Sequence, residues 1–479
     1  MVRVPRFGRL RIPERLTQRW RARLRAQRRW WRARWRAAAG SDVLFPSEGG
    51  GMVAVETLAG SSGSRPQPRS RDQTAAGPRI AILHATAGSG HKRAAQALAR
   101  AFSALSPGVV VREVDTLVFA SRLYRGTYAA SYNAMAARAP RLWGVLYHSW
   151  ALAPVNRSTS PVRLALDRLN LRRLVRVAGR ERPDAIVCTH FLPVEALSHA
   201  RGAGKLLVPL YCVITDFTAH PFWAFPNVDR YFVASEKVAA ELATHGVPRQ
   251  AIDVTGIPVD PRFARTLGRE AARARCGLDP ARPMVLVMGG GRGVGPLADL
   301  ARRLAQLPGE PAVVVVCGTN ERLRHEVEAI AAAPANGVSR AGRGVLDAQV
   351  PLEPPAAGGG GRIVALGFTD QVDALLEACD VVVSKAGGLT CSEALIKRAP
   401  LVIYRPTPGQ EVRNAQFLES AGAALKADSF DEVEAIVRRW LTDDAERAAV
   451  REAAGRLAAP NAAEDIARRV LSAMPSAKR

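Results

Sequence analysis

Residues 79–105 have the sequence RIAILHATAGSGHKRAAQALARAFSAL, and this stretch decides the fold. Its first seven residues are mostly apolar without alternation, which predicts a strand buried on both faces of a parallel sheet. A glycine-containing loop follows, after which Ala94, Leu98, Phe102 and Leu105 recur at helical spacing. The stretch therefore predicts a strand–loop–helix unit of an α/β protein.

The same pattern recurs in two sets along the chain. Strand candidates of the first set are VVVREVD, DAIVCTH, LLVPLYCVITD and DRYFVAS, and the segment IPVDP (257–261) then interrupts the pattern as a stiff connector. The second set contains PMVLVMGGG, AVVVVCGTN, RIVALGF, DVVVSKAGG and PLVIY. We expect two doubly wound, Rossmann-like domains at 78–262 and 263–479, with a ligand in the cleft between them, outside the carboxyl ends of the strands.

Composition excludes several classes of protein. The chain has 479 residues, of which 48% are hydrophobic and 23% charged, and this balance is that of a globular protein, not a disordered or fibrous one. No apolar run reaches the ~18 residues of a membrane-spanning helix, and no apolar region follows the basic N-terminus as in a secretory signal. The six cysteines form no C-x-x-C pair, which favours a reducing compartment over a zinc site or a disulfide framework.

Two segments fall outside the α/β pattern. Residues 334–361 are rich in Gly, Pro and Ala and are predicted to be a surface insertion. Residues 1–77 form a leader and linker whose 17 Arg and five acidic residues give a charge of +12 out of the total of +25. Arg together with four Trp in the first 40 residues is typical of a segment on an anionic lipid surface. A disordered basic tail, a true start near Met52 and nucleic-acid binding stay open as alternatives.

The loop that follows the first strand carries a candidate base. Gly88 and Gly90 allow the backbone to approach a ligand closely, although the loop lacks the spacing of a P-loop. His91 stands at the predicted start of the helix, and an imidazole accepts a proton near neutral pH. The alternative is a histidine at a helix start that has no chemical role.

Further loops carry candidate ligands for a nucleotide sugar. Gly289, Gly290 and Gly291 follow a strand and predict a nest of backbone N–H groups for a diphosphate, with a flexible turn as the alternative. In SKAGGLTCSE (384–393), Glu393 fits either a ribose ligand or, together with Thr390, a capping box. In RPTPGQEVRN (405–414), a Gln-Glu pair on a rigid turn offers donors and acceptors to sugar hydroxyls.

These motifs together resemble a known family. The segments SKAGGLTCSE and RPTPGQEVRN, with GSGHKRAAQAL (88–98), ITD (214–216) and HPFW (220–223), are similar to those of monogalactosyldiacylglycerol synthases and processive diacylglycerol glucosyltransferases. The resemblance covers about residues 79–430. More distantly, the segments resemble the N-acetylglucosaminyltransferase that makes the peptidoglycan lipid precursor.

The resemblance implies a GT-B fold and an inverting hexosyltransferase. The C-terminal domain would bind UDP-galactose or UDP-glucose, and the N-terminal domain would receive diacylglycerol. It implies no metal and no other cofactor, and a peripheral protein on the cytoplasmic face of the membrane, in contact with its anionic surface. Nucleic acid is not an expected partner of these two domains.

The resemblance also implies roles for single residues. His91 would be the general base, Glu393 would bind the ribose, Gln410 and Glu411 the hexose, and Phe368 the uracil. The diphosphate would lie against two groups of residues: Gly289, Gly290 and Gly291, and Gly387, Gly388, Leu389 and Thr390. Candidates for acceptor binding or for structure are Gly88, Gly90, Asp216, His220 and Trp223.

Other functions remain possible at this level. A UDP-sugar epimerase or hydrolase of similar two-domain architecture would act without lipid, and a transferase of this kind could use another lipid acceptor. The aromatic HPFW segment favours an apolar acceptor. A basic nucleic-acid-binding module rests on the leader alone.

Overall fold

The computed structural model describes residues 44–46, 52–54, 77–86, 89–126, 167, 169–332 and 363–474. The predicted insertion at 334–361 and Gly88 lie outside the described residues, as does nearly all of the leader. Within residues 1–68, the described part is an antiparallel pair of strands, Leu44–Pro46 (β1) and Met52–Ala54 (β2), with Leu44 opposite Ala54.

The first large sheet has six parallel strands in the order β4-β3-β5-β6-β7-β8. Its strands are Arg79–His84 (β3), Val110–Asp115 (β4), Ala185–Cys188 (β5), Leu210–Val213 (β6), Arg230–Val233 (β7) and Ile252–Val254 (β8). The chain runs outward from β3 to β4 and then returns to the other side of β3. The switch point, where a ligand is expected, therefore lies between β3 and β5. We call this sheet with its helices the N-terminal lobe.

The second large sheet is also parallel, in the order β11-β10-β9-β12-β13-β14. Its strands are Met284–Met288 (β9), Ala312–Val316 (β10), Ile363–Leu366 (β11), Val381–Ser384 (β12), Leu401–Tyr404 (β13) and Ala424–Ala427 (β14). This is the Rossmann strand order, with a switch point between β9 and β12. We call this sheet with its helices the C-terminal lobe.

Burial explains why these segments form strands. All five residues of β9 and all five of β10 are buried, so both faces of the sheet are covered. A fully buried Val or Leu side chain stabilises the fold by about 1.5–3 kcal/mol, and β-branched residues suit the pleated surface. The predicted doubly wound architecture is confirmed in both lobes.

Helices cover both sheets. In the N-terminal lobe they are Ser89–Leu105 (α1), Phe191–Gly202 (α2) and Glu236–Thr244 (α3), with further helical residues at 122–126 and 169–181. The chain continues through Arg269–Arg275 (α4), Leu297–Leu304 (α5), Glu321–Ala332 (α6), Val372–Ala378 (α7), Gly388–Ile396 (α8), Gln410–Ser420 (α9), Phe430–Thr442 (α10), Asp444–Leu457 (α11) and Ala462–Ser472 (α12). Among the described helices, none is both long and apolar enough to cross a bilayer.

The last helix, α12, packs on a different lobe from the one to which the predicted domain boundary assigns it. The sequence assigns residues 263–479 to the second domain, whereas Ile466 and Val470 of α12 are buried against Leu98 and Phe102 of α1 in the N-terminal lobe. The apolar face of α1 is thus covered by the returning C-terminal end of the chain. Within the described residues, the chain crosses between the lobes twice. The two crossings touch, because a Cβ built on Gly256 would overlap that of Ala459.

Candidate active site

The glycine loops of the C-terminal lobe touch the loops of the N-terminal lobe at the carboxyl ends of both sheets. A Cβ built on Gly388, at the start of α8, would overlap the carbonyl oxygen of Thr215, which follows β6. A Cβ built on Gly291 would lie 2.8 Å from Ser89 Oγ, at the start of α1. The predicted diphosphate loops therefore lie directly against the loops that carry His91 and Thr215.

His91 is held in one tautomer. Its Nδ1 lies 2.7 Å from the carbonyl oxygen of Thr189, which follows β5. A carbonyl oxygen can only accept a hydrogen bond, so Nδ1 carries the proton and donates it. The Thr215 Oγ1 lies 3.0 Å from the same nitrogen and is a second acceptor. The lone pair of the neutral ring is consequently on Nε2, which is the basic atom.

Burial keeps His91 uncharged at neutral pH. Desolvation lowers its pKa to about 4, the hydrogen bond to Thr189 opposes this shift, and His84 adds to it. The neutral form is the one that accepts a proton in general base catalysis. Negative charge brought near the ring raises the pKa of an imidazole, so a bound diphosphate would strengthen this base.

Aromatic side chains surround His91 on the N-terminal lobe. The ring of His190 meets that of His91 edge-on at 4.6 Å between centroids, and Trp223 lies 6.4 Å from both rings. Phe191 and Phe222, each partly exposed, lie 5.8 Å apart and extend this cluster outward. The result is an apolar wall beside the candidate base.

Two histidines of this cluster have structural roles. His190 accepts the Leu192 N–H at 3.1 Å and so caps the start of α2. His220 accepts the Phe222 N–H at 3.2 Å and caps the 3-10 turn Pro221–Trp223. Both are buried. His220, an acceptor-site candidate from the sequence, thus shapes the turn that places Phe222 and Trp223.

Glu393 pairs across the lobes. Its side chain is 2% exposed, and its Oε1 lies 2.7 Å from the guanidinium of Arg93, two residues after His91. Burial raises the pKa of Glu393, and the charge of Arg93 opposes this. The capping-box interpretation is wrong, because α8 begins at Gly388 and its N-cap, Gly387, makes no side-chain capping bond. Thr390 therefore lies inside the helix, next to Leu389.

The glycine loop after β9 is a compact turn. The Gly293 N–H donates to the Gly290 carbonyl at 3.0 Å, and the Val294 N–H donates to the Gly289 carbonyl at 3.1 Å. Gly290 has a φ of 71°, which favours glycine, and a Cβ on Gly289 would lie 2.6 Å from the backbone nitrogen of Val294. These two hydrogen bonds close the turn.

The predicted sugar and base ligands lie on separate loops of the C-terminal lobe. Gln410 is the first residue of α9, and the Glu411 carboxylate accepts the Thr407 N–H at 2.6 Å, which stabilises the turn before that helix. Lys385 donates to Thr407 Oγ1 at 3.1 Å from the loop after β12. Phe368, just after β11, is 58% exposed. Its proposed contact with uracil stays a prediction.

Asn414 is a site residue that the sequence analysis missed. It is fully buried in α9, and its amide bonds to Phe217 and Asp216 of the N-terminal lobe and to Ala386 of its own lobe. Asp216 is partly exposed, and burial raises its pKa to about 6, while the hydrogen bond from Asn414 opposes the shift and the charge of Glu411 adds to it. A polar residue on the apolar face of a helix was the available signal.

Neither a metal cluster nor a disulfide marks the described part of the chain. Within the described ranges, no three His, Cys, Asp or Glu side chains are arranged as metal ligands. All six cysteines are buried and free.

Comparison with known proteins covers both lobes. Residues 91–259 match the family model of monogalactosyldiacylglycerol (MGDG) synthase, and residues 284–470 match that of the glycosyltransferase family 28 C-terminal domain. A processive diacylglycerol beta-glucosyltransferase of Bacillus cereus (strain 03BB102) is 30% identical over 302 residues, which are 63% of this chain and 71% of that protein. Another, from Bacillus subtilis (strain 168), is 29% identical over 274 residues, which are 57% of this chain, and the match spans 64% of that relative's length.

A solved structure supports the fold. The glycotransferase of kitacinnamycin is similar with a TM-score of 0.50 and 16% identity, over 83% of this chain and 100% of that one. Together with the two facing Rossmann-like sheets, this likeness confirms the predicted GT-B fold.

Proposed function

Because the chain belongs to the family of monogalactosyldiacylglycerol synthases and processive diacylglycerol glucosyltransferases, we propose that it transfers galactose or glucose from a UDP-sugar to diacylglycerol, with inversion at the anomeric carbon. The C-terminal lobe binds the donor and the N-terminal lobe the acceptor. The observation that carries this proposal is the tautomer of His91. Its Nδ1–H donates to the Thr189 carbonyl, which leaves Nε2 as the base.

The proposed transfer step uses this geometry. His91 Nε2 takes the proton of the acceptor hydroxyl while the hydroxyl oxygen forms a bond to the anomeric carbon. The bond from that carbon to the diphosphate breaks, and UDP leaves with the electron pair. The Thr189 carbonyl, held against Nδ1–H, stabilises the imidazolium that forms. A positioned base of this kind contributes about 10²–10⁴-fold in rate.

Backbone groups stabilise the leaving diphosphate in this proposal. The turn at Gly387–Thr390 opens the nine-residue helix α8, and a helix N-terminus favours negative charge. The compact loop of Gly289–Gly291 would add further N–H groups. No metal or other cofactor takes part, so excess EDTA should leave the transfer rate unchanged, and loss of activity restored by a divalent cation would contradict this point.

The apolar wall beside His91 favours a lipid alcohol over water or no acceptor. Phe191, Phe222 and Trp223 supply an aromatic surface next to the base, which a hydrolase or an epimerase does not need. An assay without lipid separates the alternatives. Release of UDP or epimerisation of the sugar at the full rate without lipid would support the alternative instead.

The central test is a donor screen. Purified protein is incubated with UDP-glucose or UDP-galactose and diacylglycerol, and the glycolipid is resolved by chromatography, with its anomeric configuration assigned by NMR. His91→Ala should lower transfer by about 10²–10⁴-fold and leave UDP binding by calorimetry intact. His325→Ala, which changes a 70% exposed histidine of α6, is the matched control. Undiminished transfer by His91→Ala would exclude His91 as the base.

The location proposed is the cytoplasmic face of the membrane, with residues 1–51 as a peripheral anchor to anionic lipid. The charge and tryptophan content of the leader support this. Deleting residues 1–51 should move the protein from sedimented anionic vesicles into the supernatant. An unchanged partition would place membrane binding in the two lobes instead.

A further inference from the structure

Asn414 joins the two lobes from a fully buried position. Its Oδ1 accepts the Phe217 N–H at 2.9 Å, and its Nδ2 donates to Asp216 Oδ1 and to the Ala386 carbonyl oxygen, each at 3.0 Å. A backbone N–H can only donate and a carbonyl oxygen can only accept, so these partners fix the orientation of the amide. A single side chain of α9 thus holds the loop 215–217 of the N-terminal lobe.

The loop 215–217 lies between the C-terminal lobe and His91. On one side, Phe217 stacks on Phe417 of α9 at 5.4 Å between centroids, and the Thr215 carbonyl is pressed against Gly388. On the other side, Thr215 Oγ1 lies 3.0 Å from His91 Nδ1. The position of this hydroxyl relative to the base is therefore set by contacts that cross between the lobes.

We propose that Asn414 is a positioning residue that acts on His91 through the loop 215–217, so that the orientation of the base depends on a contact from the C-terminal lobe. The inference rests on the proposed function, in which His91 is the general base. Asn414 fixes the loop, the loop places Thr215 Oγ1, and that oxygen is the second acceptor for the Nδ1–H of His91. A second acceptor stabilises the imidazolium that forms as Nε2 takes the proton.

The kinetic test is a double-mutant cycle. Asn414→Ala and Thr215→Val should each lower kcat by about tenfold, and the double variant should lose little more than either alone, because both act on the same contact. Thr215→Ser, which keeps the hydroxyl, should restore most of the rate. The matched control is Arg413→Gln, whose ion pair with Glu241 at 3.3 Å also crosses the lobes, to a carboxylate that accepts the Ala219 N–H beyond the loop 215–217. Its effect should be small and additive with that of Thr215→Val.

A second measurement does not depend on activity. The Nδ1–H resonance of His91 in ¹⁵N-histidine-labelled protein, assigned by its loss in His91→Ala, should shift and exchange faster with water in Asn414→Ala and Thr215→Val, and should stay unchanged in Arg413→Gln. If the wild-type protein transfers no hexose, the proposed function fails, and this resonance still decides the role of Asn414.

Two results would overturn the inference: strictly additive losses in the cycle, or an unchanged His91 resonance in folded Asn414→Ala. If Asn414→Ala does not fold, as judged by circular dichroism, Asn414→Asp replaces it in both measurements. That variant keeps the acceptor for the Phe217 N–H and removes the donor to Asp216 and Ala386.

Discussion

Arg93 and Glu393 form an ion pair between the two lobes, with 2.7 Å between the guanidinium nitrogen and Glu393 Oε1. Glu393 is the carboxylate predicted to bind the ribose, yet only 2% of its side chain is exposed here. A ribose diol can reach it only after the lobes part or Arg93 moves aside. If Glu393 binds the ribose, donor entry requires the loss of this ion pair.

Replacing Arg93 measures how much this ion pair contributes to the stability of the folded protein. Arg93→Met leaves the buried Glu393 carboxylate without its partner and should lower the free energy of unfolding by about 1–3 kcal/mol. Burial raises the pKa of Glu393 and Arg93 opposes this, so the pKa should rise further in the variant. A carboxyl whose pKa is raised in the folded state loses stability as the pH rises above its unfolded value.

Urea unfolding at pH 5 and pH 8 checks this result, and the deficit should be larger at pH 8. Arg93→Lys keeps the charge and is the control. Glu393→Gln combined with Arg93→Met should recover part of the stability. An equal deficit at both pH values would contradict an ionised, buried Glu393.

The contact between the lobes at Gly388 leaves no room for a side chain. Gly388→Ala should hold the lobes apart, because the new Cβ would overlap the Thr215 carbonyl, a backbone atom that cannot rotate away. An overpacked contact of this kind costs about 1–3 kcal/mol. Small-angle X-ray scattering should show a larger radius of gyration and thermal unfolding a lower midpoint.

Gly387→Ala is the matched control for Gly388→Ala in these two measurements. A Cβ on Gly387 would have nothing within 4 Å, and its φ of −68° suits any residue. If the two variants scatter alike, the close approach of Gly388 to Thr215 does not limit closure.

Asp216 should make stability depend on pH. Burial raises its pKa to about 6, the hydrogen bond from Asn414 lowers it, and Glu411 raises it. Because the folded pKa lies above the unfolded value, stability is lost as the pH rises from about 4 to about 6. Asp216→Asn removes the charge and should be more stable than the wild type at pH 7 by about 1–2 kcal/mol.

Urea titrations between pH 4 and pH 8 measure the effect of Asp216→Asn. The exposed Asp428→Asn serves as the control and should follow the wild-type curve. A wild-type curve with no decline between pH 4 and pH 6 would mean that Asp216 ionises as it does in the unfolded chain.

Phe368 should contribute to nucleotide affinity and not to stability. Its ring is 58% exposed beyond β11, so its removal uncovers little core. If it stacks on uracil, Phe368→Ala should weaken UDP binding by about tenfold, since base–aromatic stacking contributes about 1–3 kcal/mol. Calorimetry measures the Kd, with the exposed Leu207→Ala of the N-terminal lobe as control. The same Kd in both variants would remove Phe368 from the uracil site.

Most strands of the two sheets could be predicted from the sequence, because central parallel strands are continuous apolar runs. The two that were missed, Ile252–Val254 and Ala424–Ala427, are edge strands of three and four residues. Each contains a polar residue, Asp253 or Lys426, which an edge strand tolerates because one side is open to water. Short strands of this composition carry no distinctive pattern.

The positions of the loops that form the candidate site could be predicted from the sequence, but the side-chain contacts between the lobes could not. The glycine loops and His91 stand at the strand ends where the sequence placed them. The partner of Glu393 could not be predicted, because Arg93 is 300 residues away and local spacing suggested a capping box instead. Asn414 left a weaker signal, a polar residue among the buried Ala415, Phe417 and Leu418 of one helix.

The two crossings between the lobes touch at Gly256 and Ala459. Two connections that meet at one place restrict how far the lobes can slide past each other. Gly388 is thereby kept opposite Thr215, and Asn414 opposite Phe217. Repeated turnover would reassemble one and the same arrangement of groups around His91.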